Sequence, residues 1–459
     1  MRTTLRAAAV LAAASMTMTA GSPSRAETLS ADRAVQIALR HSPDVVNAGA
    51  SVLDAKGGVY GAYSGVLPHV SASVARDNNV ASGILSPIVI NGIPTGGTFV
   101  QDRESHGTTP GISGSWSVLN LSSIEGLSSA KSSLRAAKQR LASSRNDIAF
   151  NTRRQFYEAV KSVHLAGVAN FALHLARDNE RRVRALFEVG SVSRSDVLKA
   201  QVNTAQSELD SVSAEQAVLV QRVALASVIG LEEGKLGEID TVLSVQDHDY
   251  DEAALLAEAG RNRADLQAAE ISVRAAQASK MAARLARVPY LTVSGGYEIN
   301  VNSRSASTVE PPGNPPFANP GVEGFNSSTD RQSSVRLALN WDFIDGLSSD
   351  ARNASASAQL ERAIAARDAL KRNLASDVHQ ALVAYHDGLA QGEVAKRGLD
   401  SASENLKLTQ QKYNVGSATI LDLVDAQVQL ERAANNRVTA AAAIRVAEAQ
   451  VDRVRGKQE

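Results

Sequence analysis

Apolar residues recur along most of this chain at helical spacing and, in four short segments, at a spacing of two. From about 127 to 189 and from about 349 to 413 there is no proline. Leu134, Leu141 and Ile148 stand seven apart, as do Phe150, Tyr157, His164 and Phe171. A seven-residue repeat is the mark of coiled-coil packing. At 1.5 Å per residue, some 60 residues predict a rod of roughly 90 Å. Shorter helices are expected over about 30–66, 193–229, 251–287 and 418–455, together long enough for two more rods, which gives four columns per chain.

The second period marks strands. Leu291, Val293, Tyr297 and Ile299 alternate with Thr292, Ser294, Glu298 and Asn300. Val335, Leu337, Leu339, Trp341 and Phe343 alternate with Arg336, Ala338, Asn340 and Asp342. Val70, Ala72 and Val74, then Ile112, Gly114, Trp116 and Val118, do the same more weakly. Strands are therefore expected at about 66–76, 110–120, 289–300 and 332–343, each near the length of a transmembrane β-strand. Pro68 and Pro289 stand where helix gives way to strand. Trp116, Tyr290, Trp341 and Phe343 lie at the helix-proximal strand ends and are candidates for an interfacial aromatic girdle. The stretches 77–109 and 301–330, rich in Gly, Pro, Ser and Asn, read as long irregular loops, the second containing the proline-rich 311–316.

The chain is written twice. The run from Phe187 to Val202 matches that from Tyr413 to Val428 without a gap, Val189-Gly190-Ser191 on Val415-Gly416-Ser417 and Asp196 on Asp422. The offset, from 187 to 413, is 226, and it still holds at Gly230 and Gly456. Upstream, Asp44 meets Asp265 and Pro68 meets Pro289, both 221 apart, while Trp116 meets Trp341 at 225. Each copy reads helix, strand, loop, strand, long helix, Val-Gly-Ser turn, helix. The expected organisation is a signal peptide over 1–26, repeat 1 over 27–230, an inter-repeat segment over 231–250, and repeat 2 over 251–459 with a short tail.

Composition narrows the class. Residues 1–26 carry Arg2 and Arg6, an alanine-rich run and small residues ending at Ala26, the pattern of a secretory signal peptide. There is no cysteine, hence no disulfide and no lipid-bearing thiol. Lys plus Arg and Asp plus Glu both number 48, and this balance gives no reason to expect nucleic acid. Beyond the signal peptide no apolar run approaches the ~20 residues of a spanning helix. A membrane, if crossed, is crossed by strands. Four strands cannot close a barrel, and an open edge is not tolerated in lipid, so the chain must associate: a dimer reaches the usual minimum of about eight strands and a trimer gives twelve.

Over essentially the whole mature chain, the paired Val-Gly-Ser…Asp…Ala-Gln blocks and the segment Trp341-Asp-Phe-Ile-Asp-Gly346 resemble the TolC family of outer-membrane factors. The resemblance implies an α+β membrane protein: a homotrimer whose four transmembrane strands per chain make a 12-strand β-barrel on a long α-helical periplasmic barrel. It also implies an exit duct of a tripartite efflux or type I secretion system, docked to a periplasmic membrane-fusion adaptor and an inner-membrane transporter of the RND, ABC or MFS type. The equatorial segment would be 231–250 with Lys457-Gln458-Glu459. The rival class, a periplasmic coiled-coil scaffold without a pore, explains the helices but not four alternating strands.

Candidate chemistry gathers at the turns. Asp422 and Asp425 lie three apart on one face of the returning helix, where repeat 1 has Asp196 and Lys199. In a cyclic oligomer each aspartate becomes a ring that attracts cations. The alternative is solvated first-turn residues favoured by the helix dipole. The resemblance assigns Asp422 and Asp425 to a pore constriction and cation ring. It assigns Tyr413 and Asp196 to a gate latch, and Val189, Gly190, Ser191, Val415, Gly416 and Ser417 to adaptor-docking tips. A family arginine four residues before the first ring aspartate is replaced here by Ala418, which leaves Arg194 as the candidate substitute. No phosphate-binding glycine loop is present, and His164, His174, His379 and His386 lack the close spacing of a metal site. No catalytic residue, cofactor or metal is expected.

Overall fold

A computed structural model describes residues 28–85, 88–90, 93–95, 99–232, 234, 236–244, 247–309 and 326–456. The signal peptide, the proline-rich 311–316 and the tail 457–459 lie outside the described residues. In chain order the elements are α1 (Ala31–His41), α2 (Pro43–Ser64), β1 (His69–Leu85), β2 (Ile88–Ile90), β3 (Ile93–Thr95), β4 (Phe99–Leu119), α3 (Leu121–Glu188), α4 (Arg194–Ile229), α5 (Glu252–Asn262), α6 (Ala264–Leu285), β5 (Tyr290–Val309), β6 (Asn326–Asn340), α7 (Ser348–Asn414) and α8 (Ile420–Arg455). The chain divides into two compact units, and neither is a repeat. Among the described residues, the first takes the chain from 28 to Pro43, Asp147–Tyr250 and Ala381–Arg453; the second takes Asp44–Asn146, Asp251–Gln380 and 454–456.

The long helices are as the heptads predict, 68 residues in α3 and 67 in α7, each roughly 100 Å at 1.5 Å per residue. The expected helices 30–66 and 251–287 are each broken once. At Ser42 the backbone is extended, φ −63° and ψ 127°, because Pro43 disfavours the helical region for the residue before it. At Arg263, 221 residues on, the same break occurs with φ −62° and ψ 116° although Ala264 stands in place of the proline. Here the guanidinium supplies the reason: it binds Asp265 and, on α7, Asp377, each at 2.6 Å. Burial alone would raise the Asp265 carboxyl, but the Arg263 bonds outweigh it and hold it below the usual carboxylate range.

Each break is capped by a left-handed glycine. Gly230 (φ +74°) ends α4, and a Cβ added there would lie 3.0 Å from the His41 Cβ and 3.1 Å from its carbonyl oxygen. Gly456 (φ +73°) follows α8, and its Cβ would lie 2.9 Å from the Arg263 nitrogen. The two sites correspond in the repeats, His41 to Asn262 and Gly230 to Gly456.

In the second unit β1, β4, β5 and β6 form one antiparallel sheet in that order. Its strands run 17, 21, 20 and 15 residues, longer than expected, and they take up much of the stretches read as loops. Glycine and serine there pair along the hairpins, as Gly107 with Asp77 between β1 and β4 and Ser303 with Ser327 between β5 and β6. Across the sheet the apolar positions share a face: Ala72 opposes Ile112, which opposes Tyr297, and Trp116 opposes Val293, which opposes Leu337. These side chains are exposed, Val335 by 87% and Val74 by 75%. The opposite face is polar, with Ser71 and Ser113 hydroxyls 2.9 Å apart and Thr109 donating to Asn300. Both tryptophans close the helix-to-strand junctions in the same way. The Trp116 indole donates to the Val66 carbonyl at 2.8 Å and the Trp341 indole to the Arg287 carbonyl at 3.2 Å, two residues before Pro68 and Pro289 respectively.

In the first unit the inter-repeat segment is held by main-chain and side-chain bonds. Leu29 and Ile239 form a parallel bridge, the His164 ring nitrogen lies 2.7 Å from the Thr241 carbonyl oxygen, and the His248 amide donates to the buried Tyr385 hydroxyl at 2.9 Å. One expectation changes. Among the described residues α4 is, by length and composition, long and apolar enough to cross a membrane. Its aliphatic residues form an exposed heptad seam, Leu198, Val202, Leu209, Val212, Leu219 and Val223, interleaved with alanines, which raises the mean hydropathy without making a span.

Replacing Gly230 or Gly456 by alanine should cost the left-handed backbone penalty of about 1–2 kcal/mol and a further loss as the facing backbone shifts. Gly190→Ala and Gly416→Ala, at positive φ but with nothing within 4 Å of the added Cβ, should cost the backbone penalty alone. The midpoint for thermal loss of the helical circular dichroism signal measures the difference.

Candidate functional site: the paired helix turns

Both turns are built from the same bonds. At the end of α3, Gly190 takes φ +73°, its amide donates to the Phe187 carbonyl at 2.9 Å, and the Ser191 amide donates to Leu186 at 2.8 Å. At the end of α7, Gly416 takes φ +77°, its amide donates to Tyr413 at 3.1 Å, and the Ser417 amide donates to Lys412 at 2.9 Å. This is how a glycine-terminated helix satisfies its last carbonyls. Val189 and Val415, 74% and 78% exposed, project at the two turns.

The returning helices open on reciprocal caps. The Asp196 amide donates to the Ser193 hydroxyl, and the Asp196 carboxylate accepts from the Ser193 amide at 3.1 Å and hydroxyl at 2.8 Å. The Asp422 carboxylate accepts from the Thr419 amide and hydroxyl, both at 2.7 Å, and its amide donates back at 3.2 Å. Ser-x-x-Asp and Thr-x-x-Asp are the sequence form of this capping box, so Ser193 and Thr419 were findable and were missed. The backbone amide and hydroxyl of Thr419, with the Lys412 charge, hold the Asp422 carboxyl below the usual range. The Ser193 hydroxyl does the same for Asp196. Both carboxylates are thus ionised at neutral pH and turned back toward their own helix starts.

The turns are seated on one core. Val183 of α3, Ala200 of α4, Tyr413 of α7 and Ile420 and Leu423 of α8 pack together, joined by Leu186, Val192 and Val197. Burial raises the Tyr413 hydroxyl and the nearby Asp196 charge adds to this. Its oxygen is buried without a hydrogen-bond partner. Tyr413 and Asp196 are therefore brought into one neighbourhood but not bonded, because Ser193 and Lys199, the latter 3.8 Å away, occupy the carboxylate. Arg194 opens α4 as an exposed residue and is bonded to neither. A contact absent from the sequence reading joins the long helices beside this core: Arg182 donates to the Asn414 side chain at 3.4 Å. Asp425 is exposed one turn beyond Asp422. The local charge difference between repeats is real: Asp196 is paired with Lys199, whereas Asp425 occupies the lysine's place. Among the described residues no cluster of three or more His, Asp or Glu could hold a metal.

A carboxyl whose folded pKa is depressed contributes stability above its unfolded value near 4 and loses it as pH falls through the folded value. Hydrogen exchange should therefore show the first turns of α4 and α8 losing protection as the pH falls below about 4. Asp422→Asn should weaken protection of α8 already at pH 6 and leave α4 unchanged.

A family profile described as Outer membrane efflux protein matches residues 34–231 and 255–457. The chain is 25% identical over 342 residues to the outer membrane protein TolC of Vibrio cholerae, covering 73% of each. Among solved structures it is similar to the outer membrane protein VceC of Vibrio cholerae, with 16% identity, a TM-score of 0.69 and coverage of 93% and 96%. It is also similar to CusC, with 16% identity, a TM-score of 0.72 and coverage of 93% and 92%. For OprN the values are 18%, 0.69, 93% and 89%.

Proposed function

This chain belongs to the outer membrane efflux protein family, and on that footing we propose that it works as a homotrimeric exit duct completed by an adaptor and an inner-membrane transporter. The protein is an outer-membrane efflux channel protein with its helical part on the periplasmic side. The observation that carries the trimer is the sheet. Its outer strands β1 and β6 each have one neighbour among the described strands, and their apolar face is exposed. Lipid cannot satisfy an unpaired strand edge, so β6 of one copy pairs with β1 of the next. Three copies of the four-stranded sheet give twelve strands, within the range of known closed barrels. The exposed heptad seam of α4 supports the same association, since a seam of that spacing is covered by another helix.

At the turns, Asp422 and Asp425 of three copies form the cation-attracting constriction. The exposed Val-Gly-Ser turns form the adaptor contact, and Tyr413 with Asp196 and Arg194 forms the latch. The unpartnered Tyr413 hydroxyl favours a latch that is made or broken by small movements of the turn. Transport energy comes from the inner-membrane partner, of RND, ABC or MFS type.

The protein should fractionate with outer membranes as an SDS-resistant, heat-modifiable trimer. A monomer recovered in the periplasmic wash refutes the duct. In planar bilayers Asp422→Asn with Asp425→Asn should lower the cation-to-anion permeability ratio by about twofold or more. An unchanged ratio removes the ring. Gly190→Trp or Gly416→Trp should abolish export while trimers persist, because the space around both glycines is open.

A further inference from the structure

The first unit contains a cavity of about 400 Å³ among α3, α7 and α8, a size that falls within the roughly 300–1,000 Å³ of small-molecule pockets. Its walls are apolar, with Val168, Phe171, Leu399 and Val438 among them. The space exists because small residues stand where a helical seam ordinarily places large ones. Gly167, Ala172 and Ala434 line it, and a Cβ added at Gly167 meets nothing within 4 Å. Glycine inside a helix is unfavourable relative to alanine, so the opening coincides with a locally weakened helix.

One acid faces this apolar chamber. Glu431 lines it, is partly buried, and makes no hydrogen bond or ion pair among the described residues. Burial, and then the nearby charge of Asp210, hold its carboxyl above the usual range, with Arg432 pulling the other way. Of the other polar residues in the wall, His164 has its ring nitrogen 2.7 Å from the Thr241 carbonyl oxygen. Gln427 accepts from Asn203 at 3.4 Å, and its own amide nitrogen is buried without a partner. A neutral lipophile would fill the space and leave Glu431 desolvated beside Asp210. A lipophilic cation would fill it and compensate the acid, with the Phe171 ring as a further attractive surface.

We propose that this cavity binds lipophilic organic monocations, with Glu431 as the counter-charge and the Gly167 opening as the space that admits them. The site does not depend on the duct reading, because binding is measured on the purified protein whether or not it conducts.

The test uses the full-length protein in phosphatidylcholine nanodiscs, with empty nanodiscs as baseline. Fluorescence polarisation follows ethidium as the cation and Nile red as the uncharged probe. Ethidium should bind saturably. Glu431→Gln should weaken it about tenfold, the scale of a lost contact to a charged group, and should move uncharged Nile red far less. Gly167→Leu, which fills the cavity, should weaken both. Ethidium binding no greater than to empty nanodiscs, or unchanged by Glu431→Gln, overturns the proposal. Glu431→Gln decides alone if Gly167→Leu alters the helical signal.

Discussion

The rest of this structure depends on the two outer strands of the sheet, β1 and β6, each with one neighbour among the described strands. β1 and β6 carry 17 and 15 residues, and the face they share with β4 and β5 is aliphatic and exposed. Water could hydrate such edges, but the exposed apolar face belongs in lipid, where every backbone amide and carbonyl needs a partner. On the proposed trimer, that partner is a strand of a neighbouring copy. The antiparallel order places β1 and β6 at opposite sides of the described sheet, the arrangement that closure between identical copies, as proposed, requires. The exposed seam of α4 is the same incompleteness expressed in helices.

Duplication explains how one chain supplies these parts economically, and the two copies show which contacts matter by reaching them through different chemistry. The helix break is set by Pro43 in the first copy and by Arg263 with Asp265 and Asp377 in the second. In both copies a left-handed glycine closes against it, with too little space for a methyl group. The tryptophan bonds to Val66 and Arg287 are likewise equivalent. They tie the end of each returning strand to the helix before the first, so that the passage from a period of 3.6 to a period of two occurs at a fixed place.

At the turns the same scaffold carries unequal charge. Both returning helices begin with a capping box that engages one carboxylate oxygen of its aspartate, so Asp196 and Asp422 each have a structural part. The difference lies one turn on, where Lys199 neutralises the first copy and Asp425 adds to the second. A site that gains chemistry by departing from its own repeat is the part of the chain least explained by folding alone.

Much of this was legible in the chain. The heptads of α3 and α7, the alternation that gives one apolar face from Ala72 through Ile112 to Tyr297, and the glycine turns all follow from local rules of spacing and backbone freedom. Strand lengths were underestimated because Ser, Gly and Asn pair in long hairpins only when a neighbouring strand is there to receive their hydrogen bonds. The break at Arg263 was invisible because its cause, Asp377, is 114 residues away. The unbonded Tyr413 hydroxyl and the cavity at Gly167 are likewise products of packing. By itself, then, the sequence determined the elements, their doubling and the face each strand presents, since these are set by residues close along the chain. Only the tertiary structure decided where helices break, which carboxylates are already engaged and where space remains, because those outcomes depend on groups that meet only once the helices are packed.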